Sequence, residues 1–203
     1  MLKKEQRKQD YLFISLLLFL VFCSLCILLD ACSESSPKPF GYFRIDIPQP
    51  DYRVENRFEN FKFELSGWAE IKESSQNEKG EFFNIVYNQL QAEIYCSYIP
   101  IKKEKLVQLS EESRKFAYLH AVKADAIQEY FFENPQQKVY GLVYNIKGNV
   151  ASSTQFVLTD SVSAFFRGAL YFDNRPNSDS IAPVLEYINK DIQVIIESFR
   201  WKK

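Results

Sequence analysis

Few residues in this chain could do covalent chemistry. It has one histidine, His120, together with four cysteines and six glycines. Nucleophilic hydrolysis needs a general base beside a serine or cysteine. His120 is the only imidazole available for that role, and no Gly-x-Ser-x-Gly elbow occurs. A zinc centre needs three or four Cys, His or carboxylate ligands at short spacings. Beyond residue 32 the chain offers only the Cys96 thiol and the His120 imidazole, far apart in sequence. Gly41, Gly67, Gly80, Gly141, Gly148 and Gly168 build neither a phosphate-binding loop nor a dinucleotide fingerprint. The sequence therefore predicts no enzyme, no cofactor and no metal. A carboxylate pair stays open, because acids are plentiful and their pairing is spatial. Lys plus Arg is 25 and Asp plus Glu is 26, a net charge of −1 without the basic excess of a nucleic-acid protein.

Two polar segments are candidates for binding. The first is Gly41-Tyr-Phe-Arg-Ile-Asp-Ile-Pro48, in which Arg44 and Asp46 are two apart and would share one face of a strand. The plainer reading, an edge strand or wrapping arm with a surface ion pair, explains it better. The second runs from Arg167 to Asp179, where a strand enters a polar loop before a helix. Arg175 near a helix N-terminus would suit an anionic ligand or a partner's carboxylate. Asp173, Asn174 and Asn177 also fit a plain turn closed by local hydrogen bonds. The candidate partner or ligand residues are Arg44, Asp46, Arg167, Asp173, Asn174, Arg175 and Asp179.

The N-terminus reads as an address. Lys3, Lys4, Arg7 and Lys8 form a basic head, and the run from Tyr11 to Leu29 carries no charge. Those are the two parts of an export signal. A helix over that run would be roughly 28 Å long, also enough for a membrane anchor. Leu29-Asp-Ala-Cys32 resembles a bacterial lipobox, with Asp30 where that pattern prefers a small uncharged residue. The resemblance implies cleavage between Ala31 and Cys32 and a diacylglyceryl group on the Cys32 thiol; the alternative is an uncleaved signal anchor. The expected organisation is a signal peptide over 1–31, a tether over 32–40 from lipidated Cys32, and one domain over 41–203. The tether, Ser33-Glu-Ser-Ser-Pro-Lys-Pro39, is polar and proline-containing and should be extended.

The domain must position the candidates through its apolar periodicity. Apolar residues make up 46% and aromatics 16% of the chain, which argues for a packed core. Phe61–Leu65 alternates with period two, and Trp68–Ile71 is expected to resume that strand after a bulge. Ser74–Gly80 reads as a loop, and Phe82–Tyr87 and Ala92–Ile99 as strands. Ala92, Ile94, Cys96 and Tyr98 then share a face, which makes Cys96 a small core residue rather than a reactive thiol. A helix after Pro100 places Leu106, Leu109, Ser113, Phe116 and His120 on one stripe. Asp125–Phe132, Val139–Ile146, Ala151–Thr159 and Ser163–Phe172 read as strands separated by turn signals. A last helix buries Ile181, Val184, Leu185, Ile188, Ile192, Ile195, Ile196 and Phe199. Ser178 or Asp179 would cap it, and Pro183 would fall in its first turn. Strands dominate, with one helix in the middle and one at the end. The fold class is α+β, helices packed on a largely antiparallel sheet in an α/β/α sandwich.

Several segments together resemble one family. Leu29-Asp-Ala-Cys32, Pro37-Lys-Pro-Phe-Gly-Tyr-Phe-Arg-Ile-Asp-Ile-Pro48, Gln155-Phe-Val-Leu-Thr-Asp-Ser161, Phe166-Arg-Gly-Ala-Leu-Tyr-Phe172, Arg175-Pro-Asn177, Asp179-Ser180 and Phe199-Arg-Trp201 are similar to the GldD family of gliding-motility lipoproteins. The resemblance implies a cell-envelope lipoprotein of gliding Bacteroidota. It also implies a requirement in gliding and in the associated type IX secretion. The expected partners are the membrane, through the lipid on Cys32, and protein components of that machinery, with no nucleic acid. Cys32 is the only residue that takes a defined role from the family. Ser33 after the cysteine does not suggest inner-membrane retention, so the outer membrane, facing the periplasm, is the expected site. The order of elements also looks like the Mog1/PsbP type of sandwich, a likeness that does not fix function. The alternative reading is a periplasmic lipoprotein that binds a peptide or glycan.

Overall fold

A computed structural model describes residues 14–22, 24, 51–77, 80–119, 122–173 and 178–202, with side chains at all of these except 73–77 and 178–180. The chain divides into two compact units, Met1–Phe43 and Arg44–Lys203. In the first unit residues 14–22 are helical and expose large apolar side chains such as Leu18 and Phe22. Among the described residues no helix is long and apolar enough to cross a membrane.

The second unit runs β1 (Tyr52–Glu55), β2 (Phe61–Ser66), β3 (Glu70–Asn77), β4 (Gly80–Tyr87), a 3-10 turn (Asn88–Leu90), β5 (Ala92–Pro100), α1 (Lys103–Tyr118), β6 (Ala124–Asn134), β7 (Val139–Gly148), β8 (Thr154–Thr159), β9 (Ala164–Phe172), α2 (Ser178–Ser198) and β10 (Arg200–Trp201). β1, β2 and β10 make a small sheet, and the other strands make a seven-stranded sheet of order β3-β4-β5-β9-β8-β7-β6. Neighbouring strands pair antiparallel throughout. The large sheet is two meanders, β3-β4-β5 and β6-β7-β8-β9, joined where β5 meets β9.

Period-two alternation decides which side each strand buries. On β5, Ala92, Ile94, Cys96 and Tyr98 are buried and join Phe156 and Leu158 of β8 and Phe166 and Leu170 of β9. The same cluster holds Val184, Ile188, Ile192, Ile195 and Ile196 of α2 and Phe61, Phe63 and Leu65 of β2. The opposite side of β7 contributes Tyr144 and Ile146, which pack with Ala117 of α1. The helices therefore lie on opposite faces of the large sheet. The α+β class and the layered arrangement are as the sequence predicts.

An aromatic stack sits at the centre. Phe61 is fully buried, with ring centroids 4.7 Å from Phe58, 5.3 Å from Tyr98, 5.3 Å from Phe166 and 5.5 Å from Phe199. Burying one such ring contributes about 1.5–3 kcal/mol, and each well-placed aromatic pair adds about 0.5–1.5 kcal/mol. Gly168 of β9 permits part of this packing: a Cβ there would lie 2.3 Å from the Phe156 ring.

Several boundaries differ from the sequence reading. β2 does not resume at Trp68–Ile71. Gly67 N–H donates to the Asp51 carbonyl at 2.6 Å and Ala69 N–H to the Ser66 carbonyl at 3.0 Å, so the chain turns and changes sheets. Ser74–Asn77, expected as loop, continues β3, because its backbone pairs with β4 whatever its side chains are. β8 begins at Thr154 rather than Ala151. On α1 the buried line ends in Ser113 and Ala117, while Phe116 is 45% exposed, and His120 lies outside the described residues. α2 starts at Ser178, so the capping position precedes Ser178 and Asp179 and lies outside the described residues. Pro183 is then the sixth residue of α2, in its second turn, where it removes a backbone bond.

Candidate functional site

On the face of the large sheet that carries α1, the helix packs on β7 and β8 and reaches β9 through Phe116. Beside it, on β5, Tyr95 is half exposed. On β9, Phe166 and Leu170 turn into the core, so Arg167 and Tyr171 turn the other way. The same parity brings Asn84 of β4 and Tyr95 and Ser97 of β5 to this side. Together with Asp173 they line a trough of about 670 Å³.

Arg167 anchors the trough. Its Nη2 donates to Gln155 Oε1 at 3.1 Å, and its guanidinium lies 4.4 Å from the Phe116 ring centroid. Burial lowers its pKa, with the neighbouring Tyr171 acting in the opposite direction. Among the described residues no carboxylate forms an ion pair with it. Tyr95 and Tyr171 meet edge to face at 5.2 Å, and Asn84 Nδ2 donates to Glu93 Oε2 at 3.0 Å. A guanidinium stacked on one ring and held on one edge is ready for an anionic or planar polar group. Cys96 is buried with its thiol pKa pushed up by desolvation.

Of the candidates read from sequence, the trough brings together Arg167 and Asp173. Asp173 is exposed, with its backbone N–H donating to the Gln91 carbonyl at 3.0 Å. Cys32, Arg44, Asp46, Asn174 and Arg175 lie outside the described residues, as does the side chain of Asp179. Sequence reading missed Tyr95, Tyr171 and Asn84. Tyr171 was within reach, because it stands four residues from Arg167 on one strand and so on its face.

A second feature was missed entirely. Asp191 of α2 is 1% exposed and falls on the helix face that buries Ile188 and Ile195. Tyr52 of β1 donates its hydroxyl to Asp191 Oδ1 at 2.8 Å. Tyr187 and Ser66 meet nearby through their hydroxyls at 3.4 Å. No hydrogen bond of good geometry reaches the buried Asp191 Oδ2 or the buried Tyr87 hydroxyl, although the two side chains are close enough to shift each other's pKa. Burial raises the Asp191 pKa against the opposing hydroxyl contacts, and it raises that of Tyr87, which the Asp191 charge raises further. The helical wheel carries a signal for Asp191, a charge inside an apolar stripe, but its tyrosine partners come from separate strands. This node ties the small sheet to α2 and to β4. Among the described residues no group of three or more His, Cys, Asp or Glu could hold a metal.

A third region lies at the far end of the sheet. β6 is an edge strand on which Tyr130 is 49% and Phe131 is 80% exposed. Between β6, β7 and α2 runs a groove of about 620 Å³, lined by Tyr130, Phe132, Val143, Leu185, Ile192 and Ile196 among others.

Residues 32–201 match the family model described as gliding motility lipoprotein GldD. The chain belongs to the GldD family. The matched span takes in every strand and both helices of the second unit, and it begins at Cys32. GldD membership associates the protein with gliding motility and with the cell envelope. No curated protein matches the chain.

Proposed function

We propose that this protein is a membrane-tethered, non-enzymatic assembly or stabilising factor for gliding motility and the associated type IX secretion. The observation that carries the reading is the GldD match over residues 32–201, whose first residue is the lipobox-like cysteine. In this reading Cys32 carries the lipid, Ser33–Pro39 is the tether, and the folded unit works at the periplasmic face of the outer membrane. It acts by protein contacts. The scarcity of nucleophile, base and ligand residues supports a binding role over a catalytic one. Deletion in a gliding host tests it, scoring colony spreading together with the proteins released into the medium. Loss of both, with secreted cargo retained in the periplasm, is expected. Intact spreading and secretion would overturn the reading.

One observation favours a second reading, the binding of a peptide or glycan. Arg167 is half-buried beside Tyr95 and Tyr171 in an open trough, with no carboxylate ion pair among the described residues. A thermal shift with soluble cell-wall fragments, lost in Arg167→Ala, would support it. No shift at any fragment concentration would remove it.

A further inference from the structure

We propose that β6 is a docking edge for an extended segment of a partner protein that carries Lys or Arg four residues apart, on either side of three apolar residues. The inference rests on the reading above, that the protein works through protein contacts, and names the surface and the chemistry that fits it.

β6 has 11 residues and, among the described residues, pairs on one side only, with β7, which leaves its outer row of backbone N–H and C=O groups without a described partner. The other edge of the sheet is β3, where a register shift between Glu73 and Ser75 interrupts the ladder at mid-strand. On β6 the shift lies at the start, between Ala124 and Ala126, and Ile127–Asn134 pairs with β7 without interruption. The edge that is regular is also the one that exposes aromatic residues.

Register assigns the side chains of β6 to two faces. Tyr130 and Phe132 stand opposite Val143 and Gly141 and face the groove beside α2. Glu129, Phe131 and Glu133 stand opposite Tyr144, Leu142 and Tyr140 on the α1 side. Tyr118 of α1 donates its hydroxyl to Glu129 Oε1 at 2.9 Å, which fixes that carboxylate at the edge. β6 carries Asp125, Glu129 and Glu133 and no cation. A strand added to this edge would set apolar side chains against Tyr130, Phe131 and Phe132 and basic ones against Glu129 and Glu133. Opposite charges across a strand pair stabilise and like charges destabilise.

That charge pattern decides the occupant. Two copies paired antiparallel through β6 about Phe131 would put Glu129 of each opposite Glu133 of the other. In that register, the one that stacks the exposed Phe131 rings, the edge disfavours a second copy, and its charge favours a basic, apolar strand from another protein, recognised by main-chain bonds and alternate pockets.

The test uses the full chain in detergent micelles at low ionic strength, where surface charge is least screened. The probe is a fluorescein-labelled peptide, Thr-Lys-Val-Ile-Val-Lys-Thr, read by anisotropy. Controls are the same peptide with Glu for Lys, and one N-methylated on its central amides. The Lys peptide should bind, the Glu peptide about tenfold more weakly, equivalent to roughly 1.4 kcal/mol. The methylated peptide should lose binding. Glu129→Lys/Glu133→Lys should invert the charge preference, and Phe131→Ser should weaken both peptides without changing the melting temperature. Equal binding of Lys and Glu peptides, full binding of the methylated one, or a dimer that shuts the peptide out would overturn the proposal. A deletion phenotype without peptide binding removes this docking edge alone. Peptide binding with intact spreading and secretion removes the broader reading alone.

Discussion

Phe166 and Phe131 are both phenylalanines on strands of one sheet, yet the first is fully buried and the second is 80% exposed. The difference lies in what covers them. Phe166 on β9 lies under Phe61 of β2 and Phe199, at 5.3 Å and 5.0 Å. β6 lies at the end of the sheet, beside the open groove that runs along α2. The fold thus concentrates its stabilising aromatic contacts toward the β4-β5-β9-β8 part and leaves an aromatic edge at the other end. The buried aromatic stack and the exposed aromatic edge occupy different ends of one sheet.

The largest effect should come from breaking the buried end. Phe61→Ala removes the ring at the centre of the stack and should cost about 3–5 kcal/mol in urea unfolding. A loss near 1 kcal/mol would mean that the stack does not carry the stability assigned to it. Gly168→Ala comes next, because its Cβ must displace the Phe156 ring; about 1–3 kcal/mol is expected in the same measurement.

A smaller effect should come from the polar node. Asp191→Asn replaces a buried carboxylate, whose burial outweighs the hydroxyl contacts it receives, by a neutral amide. It should gain on the order of 1 kcal/mol at neutral pH. The sign follows from linkage. The folded-state pKa of Asp191 is raised, so its contribution to stability is present at acid pH and is lost as pH rises through that pKa. The melting-temperature difference between variant and parent should therefore widen from acid toward neutral pH. A difference that narrows instead would show that the carboxylate is better partnered than its geometry indicates. The smallest effect on stability belongs to Phe131→Ser, expected within about 0.5 kcal/mol of the parent because the ring is mostly in solvent. A loss of 2 kcal/mol would erase the contrast between the two ends.

Much of the buried end was legible in sequence. Alternation on β5 placed Cys96 in the core, and the three- and four-residue steps of α2 placed Ile188, Ile192 and Ile195 there. β3 was not legible beyond Ile71, because an edge strand held by backbone bonds does not constrain its side chains to alternate. β1, Tyr-Arg-Val-Glu, alternates over only four residues, too few to stand out, and its burial does not follow the alternation: Val54 is exposed and Glu55 buried. The candidate site was legible in part. Arg167 and Asp173 come together in the trough, whereas Tyr95 and Asn84 reach it only through the pairing of β4, β5 and β9. The Asp191 node is spatial, drawn from β1, β2, β4 and α2. The edge position of β6 is a property of strand order, which no local pattern in Ala124–Asn134 encodes.

The most direct test of the claim that this GldD-family protein works through the exposed end of its sheet is genetic replacement. The chromosomal copy is exchanged for one carrying Phe131→Ser, Glu129→Lys and Glu133→Lys. Colony spreading is scored while immunoblots follow the abundance of the protein. The account predicts lost spreading at parental abundance. Normal spreading at parental abundance would contradict it.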